Sequence, residues 1–309
     1  MKKIAVLCGG TSDERDLSLR GGGCIAKALR SLGYDDAEVV DLTLAYDPFE
    51  LRRYDVVFVC LHGPFGEDGS VQGLLEILRV PYTFSGCHVH SVCVSKIRTK
   101  RYLASLRGVR LIPDDIISKG DARTGVAFPV MVKDPQSGSS RGVWRCETDS
   151  ELEAAVARCV STEGILVEQF ITGVDVVCCV LDGKCLPVME FKTDLEWQDL
   201  ASKNALWDWD GKNAPSKTIE KVCPAKALPE AVVADVQKTA KRVYDFLGCR
   251  GALNVEFRVA GADVYFVEVS SIPAMTDTSV HAECAKAAGI SFPEVAETIL
   301  LAAKCDVAC

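Results

Sequence analysis

Two glutamates, Glu256 and Glu268, each interrupt an apolar run, LNVEFRV and VYFVEVS, about one strand length apart. If the runs are antiparallel neighbours, the two carboxylates can face each other. Such a pair would repel and be poorly solvated unless a divalent cation lay between them, and Mg²⁺ prefers hard oxygens with phosphates completing its shell. The plain alternative is the wet face of a half-exposed sheet, and for Glu256 on its own that alternative is the better reading. Two lysines offer complementary chemistry: Lys96 at a helix start and Lys133 at a strand end. Just beyond Lys133, backbone amides and hydroxyls of Ser137-Gly138-Ser139-Ser140 could wrap phosphates while the lysines neutralise them. Isolated lysines are usually solvated surface charges, so these two carry weight only in company.

A third constellation is the loop HGPFGEDGSVQG, from His62 to Gly73, placed between a buried strand and a helix. Its spaced glycines let backbone approach a ligand, and the following helix offers free N–H groups to an anion. A plain glycine turn accounts for the glycines but not for His62, Glu67 and Asp68 crowding the same loop. Upstream, Gly9 to Ser18 is a second loop before a helix, with N-capping by Ser12 or Asp13 as its plain reading. Neither loop is a G-x-G-x-x-G or G-x-x-x-x-G-K-[ST] phosphate motif.

The elements that must position these residues follow from periodicity. KIAVLC, DVVFVCL and a short strand opened by Pro81-Tyr82 alternate with helices over 18–32 and 72–78, which predicts a parallel α/β sheet in the first 85 or so residues. Ligands gather at the carboxyl ends of such strands, where both glycine loops fall. A helix over 90–106 leads to a second, small antiparallel lobe with strands at 128–133 and 164–168 and a helix at 150–160. A third lobe opens with the hairpin VDVVCCVLDGKCLPVMEF, whose turn is Asp182-Gly183. The polar, Trp-rich stretch from Thr193 to Pro224 reads as a mobile cover. A helix over 229–247 and strands at 252–259 and 264–269 close the chain.

Composition narrows the class. At 309 residues, several lobes sharing a cleft are expected. A net charge of -8 disfavours a duplex-binding surface, so small-molecule work fits better than nucleic acid. No run is long and apolar enough to span a bilayer, which leads to the expectation of a cytoplasmic protein without membrane partners. The 15 cysteines are scattered through apolar segments and read as reduced core residues rather than a disulfide framework.

With these residues in hand, the sequence resembles the D-alanine–D-alanine ligases of the ATP-grasp superfamily over essentially its whole length. HGPFGEDGSVQGLLEILRVPYTFSG is similar to the family's H-G-x-x-G-E-D-G-x-x-Q-G signature and its continuation, and GGTSDERDLSLRGG to its opening G-G-x-S-x-E-x-x-V-S-L-x-S-G. The resemblance implies an α/β ATP-grasp fold in three lobes: an N-terminal parallel α/β domain over 1–87, a small antiparallel α+β lid over 88–178, and a C-terminal α+β catalytic domain with a mobile loop over 179–309. It implies ATP and Mg²⁺, with Mn²⁺ as an alternative, D-alanine or another D-amino acid as substrate, and a homodimer. ATP would phosphorylate the carboxylate of a first D-alanine, and the amine of a second would attack the acyl phosphate.

By position, Glu14 resembles the residue that holds the first ammonium, with Ser139 nearby, and His62 the histidine beside the first substrate. Lys96, Lys133, Ser139 and Ser140 match the phosphate contacts. VEQFITGVD resembles the adenine and ribose hinge, giving Glu168, Phe170, Ile171 and Asp175. Lys203 looks like the lysine of a loop that closes over the phosphates. Glu256 and Glu268, with Ser270, match the metal-binding set, which overturns the solvent-face reading of Glu256. Ala274 and Ser279 match residues that receive substrate carboxylate and oxyanion.

The departures gather at the acyl-phosphate end. Asn254 stands where the family has arginine, Ser270 where it has asparagine, Ala274 where it has glycine, Asn204 where it has tyrosine, and Asp134 where it has proline. An alanine supplies the same N–H only if the backbone there needs no positive φ, and losing the arginine weakens electrostatic support where charge develops. Three readings therefore stand: ligation of two D-alanines for peptidoglycan; a related ligase with another acceptor such as D-serine or a different amine, which Asn254 and Ala274 favour; and a ligand-binding homologue without turnover, which retention of Lys96, Lys133, Glu256 and Glu268 disfavours.

Overall fold

Apolar at every position, Ile4–Gly9 (β1) lies fully buried between two parallel neighbours, Ala37–Leu42 (β2) and Val56–Val59 (β3), in the order β2-β1-β3. The computed structural model describes residues 2–138, 142–192 and 220–307. The helix Arg15–Ser31 (α1) covers the sheet, and buried Ser18 ties its start to two strand ends by accepting from Gly9 N at 2.8 Å and donating to Cys60 O at 2.7 Å. The strand expected at Pro81-Tyr82 is reduced to isolated bridges at Tyr82, parallel to Val57 and antiparallel to Lys304. Phe84, two residues on, has a φ of 63°, so the backbone turns away before a ladder can form.

The helix expected over 90–106 is two: Cys87–Cys93 (α3) and Lys96–Leu103 (α4). Ser95 divides them by taking an extended conformation and accepting from Arg98 N, which makes it the cap of the second helix. Val89, Cys93 and Leu103 pack into the core beneath the largest sheet.

The small antiparallel sheet has the order β5-β8-β6-β7, from Asp114–Ile117 (β5), Val130–Lys133 (β6), Val143–Cys146 (β7) and Ile165–Gln169 (β8). Helix Asp149–Arg158 (α5) buries Leu152, Ala155 and Val156 against it. Asp134, the residue after β6, explains its own departure from proline: its buried carboxylate accepts from Val160 N at 2.7 Å and Ser161 N at 3.2 Å, fixing the chain beyond α5 to the carboxyl end of β6.

The large sheet centres on Val174–Leu181 (β9), Ala252–Ala260 (β13) and Asp263–Ser270 (β14). Met189–Lys192 (β11) and Glu220–Val222 (β12) extend one side, and Arg110–Leu111 (β4) pairs parallel to β14 on the other. Asp182 and Gly183 both have positive φ, 46° and 77°, the pairing that suits a tight hairpin turn between β9 and Lys184–Cys185 (β10). Helix Glu230–Leu247 (α6) covers one face, and Val280–Ala287 (α7) and Phe292–Leu301 (α8) lie against the core shared with the N-terminal sheet. The Trp-rich cover falls mostly on residues 193–219, outside the described residues; its end forms β12.

Most of the described cysteines serve as core side chains: Cys8, Cys60, Cys93, Cys146, Cys159, Cys178, Cys179 and Cys284 are buried free thiols, whereas Cys87 is exposed and Cys24, Cys185, Cys223, Cys249 and Cys305 are half-buried. Burial pushes the Cys8 thiol up to about 11, which keeps it protonated and unreactive.

The tightest helix-to-sheet contact is at Gly22 of α1, where an added Cβ would lie 2.6 Å from Cys8 Sγ and 2.7 Å from its Cβ. Gly22→Val is expected to force α1 off β1 and lower stability by about 1–3 kcal/mol in urea denaturation. An unchanged midpoint would show that the helix has slack to move.

Candidate active site

One cleft of about 840 Å³ opens where the carboxyl ends of the N-terminal strands, the loop after β6 and the end of β14 converge. Its wall includes Glu14, His62, Lys96, Asn254, Glu256, Glu268, Ser270 and Ala274, so eight residues singled out from the sequence meet in one place. Lys133 and Glu168 are buried and are not on its wall; neither are Phe170, Ile171, Asp175 or Ser279. Ser139, Ser140, Lys203 and Asn204 lie outside the described residues.

The acidic pair is cross-strand: Glu256 on β13 stands opposite Glu268 on β14, and Asn254 stands opposite Ser270. The register shifts immediately after Glu256, so that Phe257 pairs with Phe266 rather than Val267. This bulge sends Phe266 into the core beside Phe257, at 6.5 Å between rings, while Glu268 remains level with Glu256. Burial, followed by the negative charge of Glu268, pushes Glu256 well above the usual carboxylate range. Burial also opposes ionisation of Glu268, but Lys96 outweighs it and holds that carboxyl below its ordinary value. The ammonium of Lys96 sits 2.8 Å from Glu268 Oε2 and donates to Ser137 O at 2.9 Å.

This donor set fits a hard divalent cation. Two carboxylates share a partly buried, cleft-facing part of the sheet, and desolvation followed by the charge of Glu268 drives Glu256 towards protonation. A carboxylate pair suits Mg²⁺, which is commonly held by one or two carboxylates plus phosphates and water.

Behind the cleft, Glu168 is clamped between two lysines: Lys133 Nζ at 2.5 Å from Oε2, and Lys100 Nζ at 2.5 Å from Oε1. Lys100 is fully buried, donates to Ile112 O at 2.8 Å and lies 3.3 Å from Asp114. Burial works against the Lys133 charge, but Glu168 overcomes it and raises the ammonium above its ordinary value. The hinge that follows is pinned by Arg258, which donates to Ile171 O at 2.9 Å and pairs with Asp175 at 2.6 Å. Phe170 is stacked by Arg145 at 4.4 Å.

At the other end, Ser12 donates to His62 O at 2.8 Å and accepts from Glu14 N, which joins the two glycine loops. Gly63 has a φ of 71°, and an added Cβ would meet Ser12 at 3.1 Å, so glycine is required where the loops touch. Glu67 accepts from Gly63 N at 2.8 Å and lies 3.8 Å from His62 Nδ1. Buried His62 Nε2 has no partner among the described residues. Glu14 lies next to the loop after β6: a Cβ on Gly138 would stand 3.6 Å from its carboxylate. Ala274 is not among the non-glycine residues with positive φ, so alanine presents its N–H without strain. Ser279 caps α7, accepting from Ala282 N at 3.3 Å.

Three functional-site neighbours escape the sequence. Lys100 interrupts the apolar series Ile97 and Leu103 at helical spacing, a pattern that would mark it as buried. His281, inside the apolar start of α7, places Nδ1 2.9 Å from Asn254 Oδ1, and His90 Nδ1 lies 2.8 Å from Ser271 Oγ. No local pattern announces either histidine, since both partners are distant in sequence.

Lys100→Met is expected to cost about 3 kcal/mol in denaturant unfolding, because it leaves Glu168 and Asp114 short of a buried counter-charge; a loss below 1 kcal/mol would mean that Lys133 alone satisfies the cluster. Burial pushes both His90 and His281 down to about 4. The folded state thus prefers neutral imidazoles, and below about 6.5 the unfolded chain binds more protons, so stability falls with decreasing pH. Urea titrations between pH 6.5 and 4.5 should lose up to about 1.4 kcal/mol per pH unit for each histidine, and His281→Phe should remove half of that slope. A slope unchanged by the substitution would show that His281 is not held neutral.

Against known proteins, a family model described as D-ala D-ala ligase C-terminus matches residues 110–301, and its N-terminal counterpart matches 35–87. The chain is 38% identical to the D-alanine–D-alanine ligase of Syntrophotalea carbinolica over 98% of this chain and 96% of the relative. It is 36% identical to that of Geobacter sulfurreducens over 99% and 95%. A crystal structure of D-alanine–D-alanine ligase from Bacillus anthracis complexed with ATP superposes with a TM-score of 0.79 at 25% identity, covering 98% of this chain and 97% of that one. Full-length likeness in sequence and fold, over a cleft built from the matching residues, means that the chain belongs to the D-alanine–D-alanine ligase family.

Proposed function

We propose that the protein is an ATP-dependent ligase that joins two D-alanines through an acyl phosphate, for peptidoglycan precursor synthesis. The observation that carries this reading is the cross-strand pair Glu256 and Glu268, with Lys96 on Glu268, in the same cleft as Glu14 and His62. One end of the cleft has the charges for nucleotide phosphates, and the other has a carboxylate for an ammonium and a histidine with an open ring nitrogen.

In this reading Glu14 and His62 hold the first D-alanine with its carboxylate towards Lys96. Lys96 and Lys133 neutralise ATP phosphates, and Ser139, Ser140 and Lys203 complete their enclosure. Phe170, Ile171, Asp175 and Glu168 form the nucleoside side. Glu256, Glu268 and Ser270 would hold Mg²⁺, which when bound neutralises phosphate charge. A carboxylate oxygen of D-alanine bonds to the γ-phosphorus as the bridging P–O bond to ADP breaks; positioning and charge neutralisation supply most of the acceleration. Water exclusion protects the acyl phosphate until the second amine attacks its carbonyl carbon and phosphate departs, with one proton released overall. Asn254, the Ala274 N–H and Ser279 serve the acyl-transfer end. Action as a cytoplasmic homodimer on small molecules, with lobes at 1–87, 88–178 and 179–309, belongs to the same proposal. Among the described residues no helix is long and apolar enough to cross a membrane.

A second reading, the same activation with another acceptor, is favoured by one observation: neutral Asn254 stands at the acyl-transfer end of the cleft. Purified protein with ATP, Mg²⁺ and a panel of D-amino acids separates the two. D-Ala-D-Ala formed in step with ADP supports the first, dipeptide only with a different amine supports the second, and ATP binding without turnover contradicts both. Glu268→Ala should reduce turnover by roughly a hundredfold or more with the fold intact. Retained activity would remove Glu268 from the metal assignment.

A further inference from the structure

Asn254 lies on β13, on the cleft wall, two residues from Glu256 and opposite Ser270. Its side chain does not simply leave a gap where a longer residue is expected. The carbonyl Oδ1 is engaged from behind by Nδ1 of His281 at 2.9 Å, and among the described residues the amino group Nδ2 has no acceptor. His281 comes from a separate element, α7, and is 1% exposed.

The tautomer follows from satisfaction of buried groups. With Oδ1 as acceptor, His281 must carry its proton on Nδ1, which leaves Nε2 as a bare lone pair. Turning the amide over would make Nδ1 the acceptor and move the proton to Nε2, which is buried with no partner among the described residues. An orphaned N–H in a core is costlier and rarer than an under-satisfied acceptor. The ring thus dictates which way the amide points, and the helix start capped by Ser279 dictates where the ring sits.

We propose that His281 is a positioning residue that locks the Asn254 carboxamide with Nδ2 turned into the cleft, where it donates to the oxygen that gains negative charge during acyl transfer. The inference rests on the ligase reading above. It explains how a neutral side chain supports that step: a pre-oriented donor loses no reorganisation energy as charge appears. It also accounts for a histidine inside an apolar helix start that no ligand contact requires.

The direct test is histidine side-chain ¹⁵N–¹H correlation NMR on the whole protein. The chain has four histidines, so comparison with His281→Phe assigns the ring. A protonated Nδ1 and bare Nε2 are expected for His281, and protonation at Nε2 overturns the proposal; should His281→Phe fail to fold, substituting the other three histidines in turn assigns the ring by elimination. In kinetics, His281→Phe and Asn254→Ala should each lower kcat by about tenfold to a hundredfold, with KM for ATP within about twofold. The double variant should be no slower than the slower single one, and His281→Asn, which places an N–H near the same point, should recover part of the rate. Full kcat in His281→Phe, or additive losses, would contradict the assignment. Should the wild-type make no D-Ala-D-Ala, the ligase reading fails by itself, while the tautomer still decides the orientation of Asn254.

Discussion

Placing two carboxylates side by side on one partly buried, cleft-facing part of a sheet is unfavourable, and much of the structure is arranged around that constraint. Loss of water and then the neighbouring charge of Glu268 both push Glu256 above the usual carboxylate range. Two positive charges offset it. Lys96, delivered by a helix that begins at that residue, neutralises Glu268. Lys133, held by Glu168 behind the cleft, adds a second ammonium that favours ionisation of both carboxyls.

Those requirements fix how the parts meet. Lys96 donates to Ser137 O and its backbone N–H to Pro135 O, so one residue links the carboxylate pair to the loop after β6. Asp134 holds that loop's base to the chain after α5, and Gly142 closes it where a Cβ would fall 2.8 Å from Asp134. On the opposite wall, Ser12 and Gly63 join the two N-terminal loops and bring Glu14 within reach of Gly138. The N-terminal loops and the loop after β6 thereby line one cleft, although they come from different sheets.

Much of this was legible in the sequence. Apolar runs marked the strands, Asp182-Gly183 marked the hairpin, and Glu256 and Glu268 fell opposite each other, as the strand spacing allowed. What stayed hidden depends on local caps and turns and on contacts between distant segments. Ser95 splits a helix that periodicity reads as continuous, because its hydroxyl finds Arg98 N. Tyr82 makes two isolated bridges instead of a strand, because the chain turns at Phe84. Asp134 looked like a defect in a motif until its bonds to Val160 and Ser161 appeared. The worry over Ala274 disappears because the backbone there needs no positive φ. Asn254 gains its meaning only from His281, 27 residues away.

The central claim is that this cleft activates a carboxylate by transferring phosphate to it. Turnover with D-alanine labelled with ¹⁸O in its carboxylate, followed by ³¹P NMR of the released phosphate, tests that claim most directly. The account predicts one ¹⁸O atom carried into inorganic phosphate for each peptide bond formed; phosphate released without label would mean that ATP is cleaved by water and that the acyl-phosphate route is wrong.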